Sequence, residues 1–228
     1  MKKLLFWMVL IVCIVALIGS CAKKDEETAA TAAADNTTST DNTTSTTSYI
    51  SPTTTASGSI TMGDDTLSGV YASECLTSAS TIAFFKATGF WASEVNAYGQ
   101  VFVVTGSDNI SIELYAFTDT SCSNLSQSQK TVSDNVTFGS ASGSNYPVTY
   151  NNQTSALTVH TTAAETWLEP AFGGGIDLTV GTELNLPYTG SSNPRFGLIN
   201  LTSTILQWAD VDKTATPSID GALKYYKL

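Results

Sequence analysis

The feature that most constrains this chain is a period of two. From Thr66 to Leu228 apolar and polar residues alternate in short runs, and clusters of Gly, Asn, Asp and Ser separate the runs. Successive side chains of a strand point to opposite faces, so this alternation predicts half-buried strands joined by turns. Leu67, Gly69, Tyr71, Ser73 and Cys75 share one side of an opening strand. Gln100 to Thr105 is rich in β-branched residues and stops at Gly106-Ser107-Asp108-Asn109. Ile110 to Phe117 then resumes the alternation, which is the pattern of a β-hairpin. Further strands are predicted over Lys130 to Phe138, Tyr146 to Tyr150, Ala156 to Thr161, Gly175 to Val180, Phe196 to Leu201 and Thr204 to Ala209. Only Ala163 to Leu168 looks helical, and Pro170 would end that helix soon afterwards. The expected fold is all-β, an antiparallel barrel or a sandwich.

The amino terminus obeys different physics. Lys2 and Lys3 precede an apolar run from Leu4 to Ile18, the layout of a secretory signal. The run is about fifteen residues, where a stable membrane span needs roughly twenty, so a permanent transmembrane helix is the weaker alternative. Leu17-Ile18-Gly19-Ser20-Cys21 resembles the lipobox of bacterial lipoproteins. The resemblance implies a diacylglyceryl group on the Cys21 thiol, cleavage just before it, and a membrane partner reached through the lipid anchor. The alternative is an ordinary cleavage site that happens to precede a cysteine. Two or three acyl chains anchor stably where one binds only marginally. Ala22, with no aspartate at that position, resembles the sorting pattern of outer-membrane lipoproteins, which implies the cell envelope and its outer membrane. Cys13 lies in the leader and has no expected role.

Between Ala22 and about Ser59 there is little apolar content beyond alanine, and Asp35-Asn36-Thr37-Thr38-Ser39-Thr40 recurs as residues 41–46. Such polar low-complexity sequence buries too little surface to offset its conformational entropy, so a disordered tether is expected, a glycosylated stalk being the alternative. The predicted organisation is a signal peptide over 1–20, anchor and tether over 21–65, and a β-barrel domain over 66–228. Removing Lys2 and Lys3 with the leader takes the formal charge from −10 to −12. An acidic chain with a single arginine, Arg195, is poorly suited to nucleic acid.

Cys75 and Cys122 are the two thiols left once Cys13 and Cys21 are accounted for. In an oxidising envelope they are expected to pair, because no histidine or second thiol near either one favours a metal or redox site. Leu67-x-Gly69-Val70-Tyr71-x-x-x-Cys75 resembles the opening of bacterial lipocalin-like lipoprotein domains. So do Phe117-Thr118-Asp119-Thr120-Ser121-Cys122, Phe196-Gly197-Leu198-Ile199, Ile205-Leu206-Gln207-Trp208 and the closing stretch Ala215 to Tyr226. Tyr71 stands where lipocalins usually have Trp. The resemblance implies an up-and-down barrel of about eight strands, with room for an apolar small molecule.

Signals for catalysis are sparse. Asp210-Val211-Asp212-Lys213-Thr214 matches the D-x-D-x-T of haloacid-dehalogenase-type phosphotransferases. That chemistry needs a following helix and downstream carboxylates, and fourteen residues remain. An acidic turn is the better reading, and a calcium loop lacks its glycine and final glutamate. His160 is the sole histidine, too isolated for zinc, and no Gly-x-Ser-x-Gly elbow accompanies it. Gly173-Gly174-Gly175 is followed by no lysine, so it reads as a loop rather than a phosphate cradle. The aromatic residues Phe84, Phe85, Phe90, Trp91 and Trp208 are either core, the lining of a barrel mouth that binds an apolar ligand, or, with Trp167, a patch for a protein partner. The sequence therefore predicts a non-enzymatic lipoprotein without a cofactor. Its domain is expected to bind a small apolar ligand or, alternatively, to act as a surface interaction or structural module with a filled core.

Overall fold

The computed structural model describes residues 49–171, 176–187, 194–211 and 222–228. The leader, Cys21 and the hexapeptide repeat lie outside the described residues, as do Gly173–Gly175 and Asp212–Thr214. In chain order the elements are β1 (Ser59–Met62), β2 (Asp65–Ser68), β3 (Val70–Ala72), α1 (Ala79–Ala87), β4 (Ala97–Val104), β5 (Ile110–Phe117), β6 (Leu125–Phe138) and β7 (Asn145–Val159). They continue with α2 (Thr162–Ala171), β8 (Glu183–Pro187), β9 (Arg195–Leu201), β10 (Ile205–Val211) and β11 (Lys224–Lys227).

The main sheet runs β6-β5-β4-β3-β11-β10-β9-β7, and β6 pairs with β7 as well, so the eight strands close on themselves. Every pairing is antiparallel, and barrel neighbours follow one another along the chain apart from the inserted β8. This is the expected lipocalin-like up-and-down barrel; closure excludes the sandwich. It also removes the unpaired edges that an open sheet would expose.

The expected hairpin of β4 and β5 is present, its register running from Ala97 opposite Phe117 to Val104 opposite Ile110. Elsewhere the pattern is corrected. The opening strand is two strands, broken at Gly69, whose φ of +87° suits a residue without a Cβ. Tyr146–Tyr150 and Ala156–Thr161 belong to one strand, β7, because the Asn151-Asn152 pair pairs with Asp134 and Ser133 across a bulged region of β6 instead of turning the chain. One side of β7 is divided between two partners, β9 along Asn145–Tyr150 and β8 along Thr154–Thr158. Residues 176–180 form no strand, and β8 follows them. Helix α2 spans the expected region and carries Pro170 in its last turn. Thr161 caps it, its Oγ1 accepting from the Ala164 N–H at 3.0 Å. Helix α1 had no counterpart in the sequence reading; Ser78 caps it, and it buries Ile82 and Phe85.

Ordered structure also begins before Thr66, within the segment expected to be tether. Residues 49–58 form a strap along the outside of β3, β4 and β5. The Ile50 N–H donates to the Ser73 carbonyl at 3.4 Å, and the Ser57 N–H to the Val104 carbonyl at 2.9 Å. Ile50 packs with the outward residues Ala97, Val101, Val103, Tyr115 and Phe117. Between these ends lies Glu113, only 1% exposed. Its carboxylate accepts from the Thr53 N–H (2.8 Å), the Thr53 hydroxyl (3.0 Å), the Thr54 N–H (2.9 Å) and the Tyr115 hydroxyl. The strap leads into the β1–β2 hairpin, which buries Ile60, Met62 and Leu67 against the end of the barrel. That base has the short connections, β4–β5, β6–β7 and β9–β10. The opposite end, the mouth, carries α1, α2 and the longer connections.

Candidate functional site in the barrel interior

Strand alternation and the registers define which residues face inward. Tyr71 of β3, Phe102 of β4, Tyr150 of β7, Ile199 of β9, Leu206 and Trp208 of β10 and Tyr225 of β11 form one buried cluster with the base hairpin. Trp208 sits at its centre. Its ring lies 5.2 Å from Phe102 and 5.1 Å from Tyr150, the latter edge-on. Aromatic pairs at this spacing add about 0.5–1.5 kcal/mol beyond the area they bury. Gly197, opposite Val148 and Asp210, lets β9 pass closely. A Cβ there would come within 3.0 Å of Val148 Cγ1 and the Ala209 carbonyl, and 3.7 Å from Trp208 Nε1.

A polar belt lines the interior. The Tyr225 hydroxyl donates to Gln100 Oε1 at 2.5 Å, the Ser133 hydroxyl to Asn152 Oδ1 at 2.7 Å, and Gln129 Nε2 to the Ser155 hydroxyl at 3.0 Å. Burial pushes the Tyr225 phenol well above its ordinary value, so it remains a neutral donor. Arg195 is buried at the start of β9, in register with Tyr150 and on the same face as Gly197 and Ile199. Among the described residues two buried polar side-chain atoms have no partner, Ser111 Oγ on the outward face of β5 and, facing the lumen, the Trp208 Nε1–H, whose residue is only 7% exposed. An unpaired buried donor costs about 1–3 kcal/mol.

The mouth is closed by a second aromatic group. Phe85 contacts Trp91 at 4.4 Å and Phe90 at 5.6 Å, and Trp91 meets Tyr98 at 5.2 Å. Gln127 of β6 fixes this turn, accepting from the Ala92 N–H (3.2 Å) and donating to the Phe90 carbonyl (2.9 Å). Alongside, Leu157 and Val159 pack under Ala164 and Leu168 of α2. The five aromatic candidates therefore divide. Phe85, Phe90 and Trp91 plug the mouth, Trp208 belongs to the inner cluster, and Phe84 is 40% exposed on α1. Trp167 is likewise exposed, on α2.

The remaining sequence candidates fall elsewhere. Cys75 and Cys122 form a disulfide, with Cα atoms 5.8 Å apart, that ties the segment after β3 to the β5–β6 connection. His160 Nε2 lies 3.0 Å from the Ser128 hydroxyl on the outer wall. Glu94 meanwhile accepts from Ser126 and Thr161. Burial lowers the His160 pKa. Asp210 lies in β10, at the strand end where the D-x-D-x-T match begins. A groove of about 590 Å³ beside α1 includes Ile82, Lys86, Asn96 and Asp119. The Asp119 carboxylate already accepts from the Ser121 hydroxyl and from the Ser121, Ser123 and Asn124 N–H groups; the Ser121 hydroxyl first, then the Ser123 and Asn124 donors, hold its pKa far below the usual range. Among the described residues no three His, Cys, Asp or Glu side chains form a metal cluster, and no helix is long and apolar enough to cross a membrane. Trp208 was legible as an aromatic candidate; its unpaired N–H and the inward placement of Arg195 were not, because both depend on register. No protein-family model matches the chain, and no curated protein matches it.

Proposed function

We propose that this chain is a bacterial envelope lipoprotein, acylated on Cys21 and held at the outer membrane. Its barrel acts as a non-enzymatic binding module for a small, largely apolar ligand. The observation that carries the binding reading is the unpartnered Trp208 Nε1–H inside a closed barrel. A donor enclosed by Phe102 and Tyr150 rings offers a ligand one directional contact within apolar surroundings, the usual composition of a small-molecule site. The lipobox supports the anchor. The Ser128–His160 pair supports catalysis poorly, because the carboxylate nearby, Glu94, bonds Ser126 and Thr161 rather than the imidazole.

A second reading, a filled barrel that serves as an interaction module, draws support from the ring packing at both ends. Native mass spectrometry of the mature protein separates the two. Co-purifying small molecules lost in a Trp208→Phe variant would support binding; an adduct-free protein whose Trp208 emission no hydrophobic dye quenches would favour the filled core. Metabolic palmitate labelling that Cys21→Ala abolishes would support the anchor, and unlabelled wild-type protein would refute it.

A further inference from the structure

We propose that the mouth of the barrel rests on the lipid surface that holds Cys21, with Phe84, Trp167 and Val180 entering its interface. The inference rests on the lipid-anchored reading of the chain and adds to it a direct contact between protein and bilayer. Among the described residues four large apolar side chains are well exposed: Phe84 at 40%, Trp167 at 42%, Val180 at 41% and Leu228 at 56%. Three of the four lie at the mouth. Phe84 is on α1 and Trp167 on α2, and the two helices flank one turn. There Phe85 of α1 meets Trp91 at 4.4 Å, and the adjacent Ala92 packs with Ala164 and Leu168 of α2. Val180 precedes Gly181, whose N–H donates at 2.8 Å to the carbonyl of Val159, the last residue of β7. Leu228 lies near the base, its N–H donating to the Val70 carbonyl.

The chemistry of the mouth fits a bilayer interface. The exposed positions of α1 include Ala83, Phe84 and Ala87, those of α2 Ala163, Thr166, Trp167 and Pro170, and no exposed position described on either helix is charged. In an acidic chain, two uncharged helix faces at one end of the barrel mark a contact surface. An exposed indole suits the boundary between lipid and water, where its ring is buried and its N–H stays wet. The chain also enters the fold at this end, since Tyr49 bridges Glu74 near the mouth. Cys21 precedes Tyr49 by 28 residues, so the mouth is the end that a surface holding Cys21 reaches with the least chain. Three side chains bind a membrane weakly by themselves. An anchor makes the contact intramolecular, at an effective concentration on the order of millimolar. Glu74 and Asp177 are exposed close by, so a zwitterionic surface suits the mouth better than an anionic one.

The test reads Trp167 with phosphatidylcholine vesicles whose acyl chains carry bromine, a contact quencher of indole emission. Trp91 and Trp208 are only 1% and 7% exposed, and the Trp167 component is assigned by difference with Trp167→Phe. The full-length protein is expressed in bacteria, purified in detergent and reconstituted, and a Cys21→Ser variant is titrated with vesicles in parallel. Trp167 emission is expected to fall at least twofold in both, the variant needing at least tenfold more lipid. Phe84→Glu and Val180→Glu should each remove at least half of the quenching, and Leu228→Glu should leave it unchanged. Protein that floats with the vesicles but keeps its full Trp167 emission overturns the mouth contact and leaves the anchor standing. Quenching of wild type and Cys21→Ser at the same lipid concentration overturns the anchor and leaves the mouth contact standing. An equal loss in Leu228→Glu counts against the mouth. A dimer that Phe84→Glu dissociates, with no quenching by lipid, assigns the two faces to a second copy of the chain and overturns the proposal.

Discussion

Replacing Glu113 by Gln tests whether the strap is integral to the fold. The carboxylate receives four donors, two on each oxygen: Thr53 N–H and Tyr115 hydroxyl on Oε2, Thr53 hydroxyl and Thr54 N–H on Oε1. Glutamine offers one oxygen and one NH2 group, so in either orientation one backbone N–H meets a donor, while the hydroxyl on that side can turn to accept. A hydrogen bond to a charged acceptor is worth about 1.5–3 kcal/mol. One such loss, together with the weakening of the remaining bonds from charge-assisted to neutral, gives an expected cost of about 2–4 kcal/mol. Urea unfolding of the protein should show a lower midpoint at unchanged slope. Native-state amide exchange should accelerate first at Thr53 and Thr54. A midpoint within error of wild type, with both amides still protected, would refute the reasoning, because it would mean that the clamp contributes nothing to holding the strap.

The same carboxylate predicts a pH response. Burial alone would raise its pKa, but the hydrogen bonds from Thr54, Tyr115 and Thr53 outweigh burial and hold it below the ordinary value of 4.5. Its contribution is therefore present above the unfolded pKa and lost as pH falls through the lower folded one, so strap amides should lose protection only in strong acid; loss between pH 6 and 8 would contradict this. Cys75 and Cys122 close a loop of sequence separation 47, for which the chain-entropy model gives about 4 kcal/mol; the double alanine variant should lose most of that in urea unfolding, and a change below about 1 kcal/mol would discount the bridge. Gly99→Ala would place its Cβ 2.4 Å from Ile50 Cγ1. A cost of about 1–3 kcal/mol is expected, partly rescued by adding Ile50→Ala, and no rescue would mean that the clash lies elsewhere. Tyr225→Phe leaves Gln100 Oε1 without its donor and should cost about 1–2 kcal/mol by thermal unfolding; an unchanged midpoint would show that Gln100 finds another partner.

What the sequence made legible followed from local rules. The β4–β5 hairpin carries both alternation and a turn cluster, and the two thiols within the domain, Cys75 and Cys122, leave one pairing. The same rules misjudged β7, where Asn151 and Asn152 have the composition of a turn but sit in a ladder whose irregularity is absorbed by bulges in β6. They also assigned residues 49–58 to the tether, since Thr, Ser and Pro bury little by themselves. What orders this segment is a set of donors to a carboxylate about sixty residues away, and no window-based pattern contains that information. In the interior, polarity was visible in composition but its direction was not. Arg195, Gly197 and Trp208 share a wall only because β7, β9 and β10 pair in one particular register.

The path of the strap has a mechanical consequence. Tyr49 bridges Glu74 near the mouth, and Ser57 reaches Val104 near the base, so the chain descends the barrel wall lengthwise before it enters the first hairpin. A pull on the amino terminus away from the mouth loads the Ile50, Thr53, Thr54 and Ser57 contacts together, in shear, instead of peeling them one at a time. The barrel strands are thereby spared the first of the force.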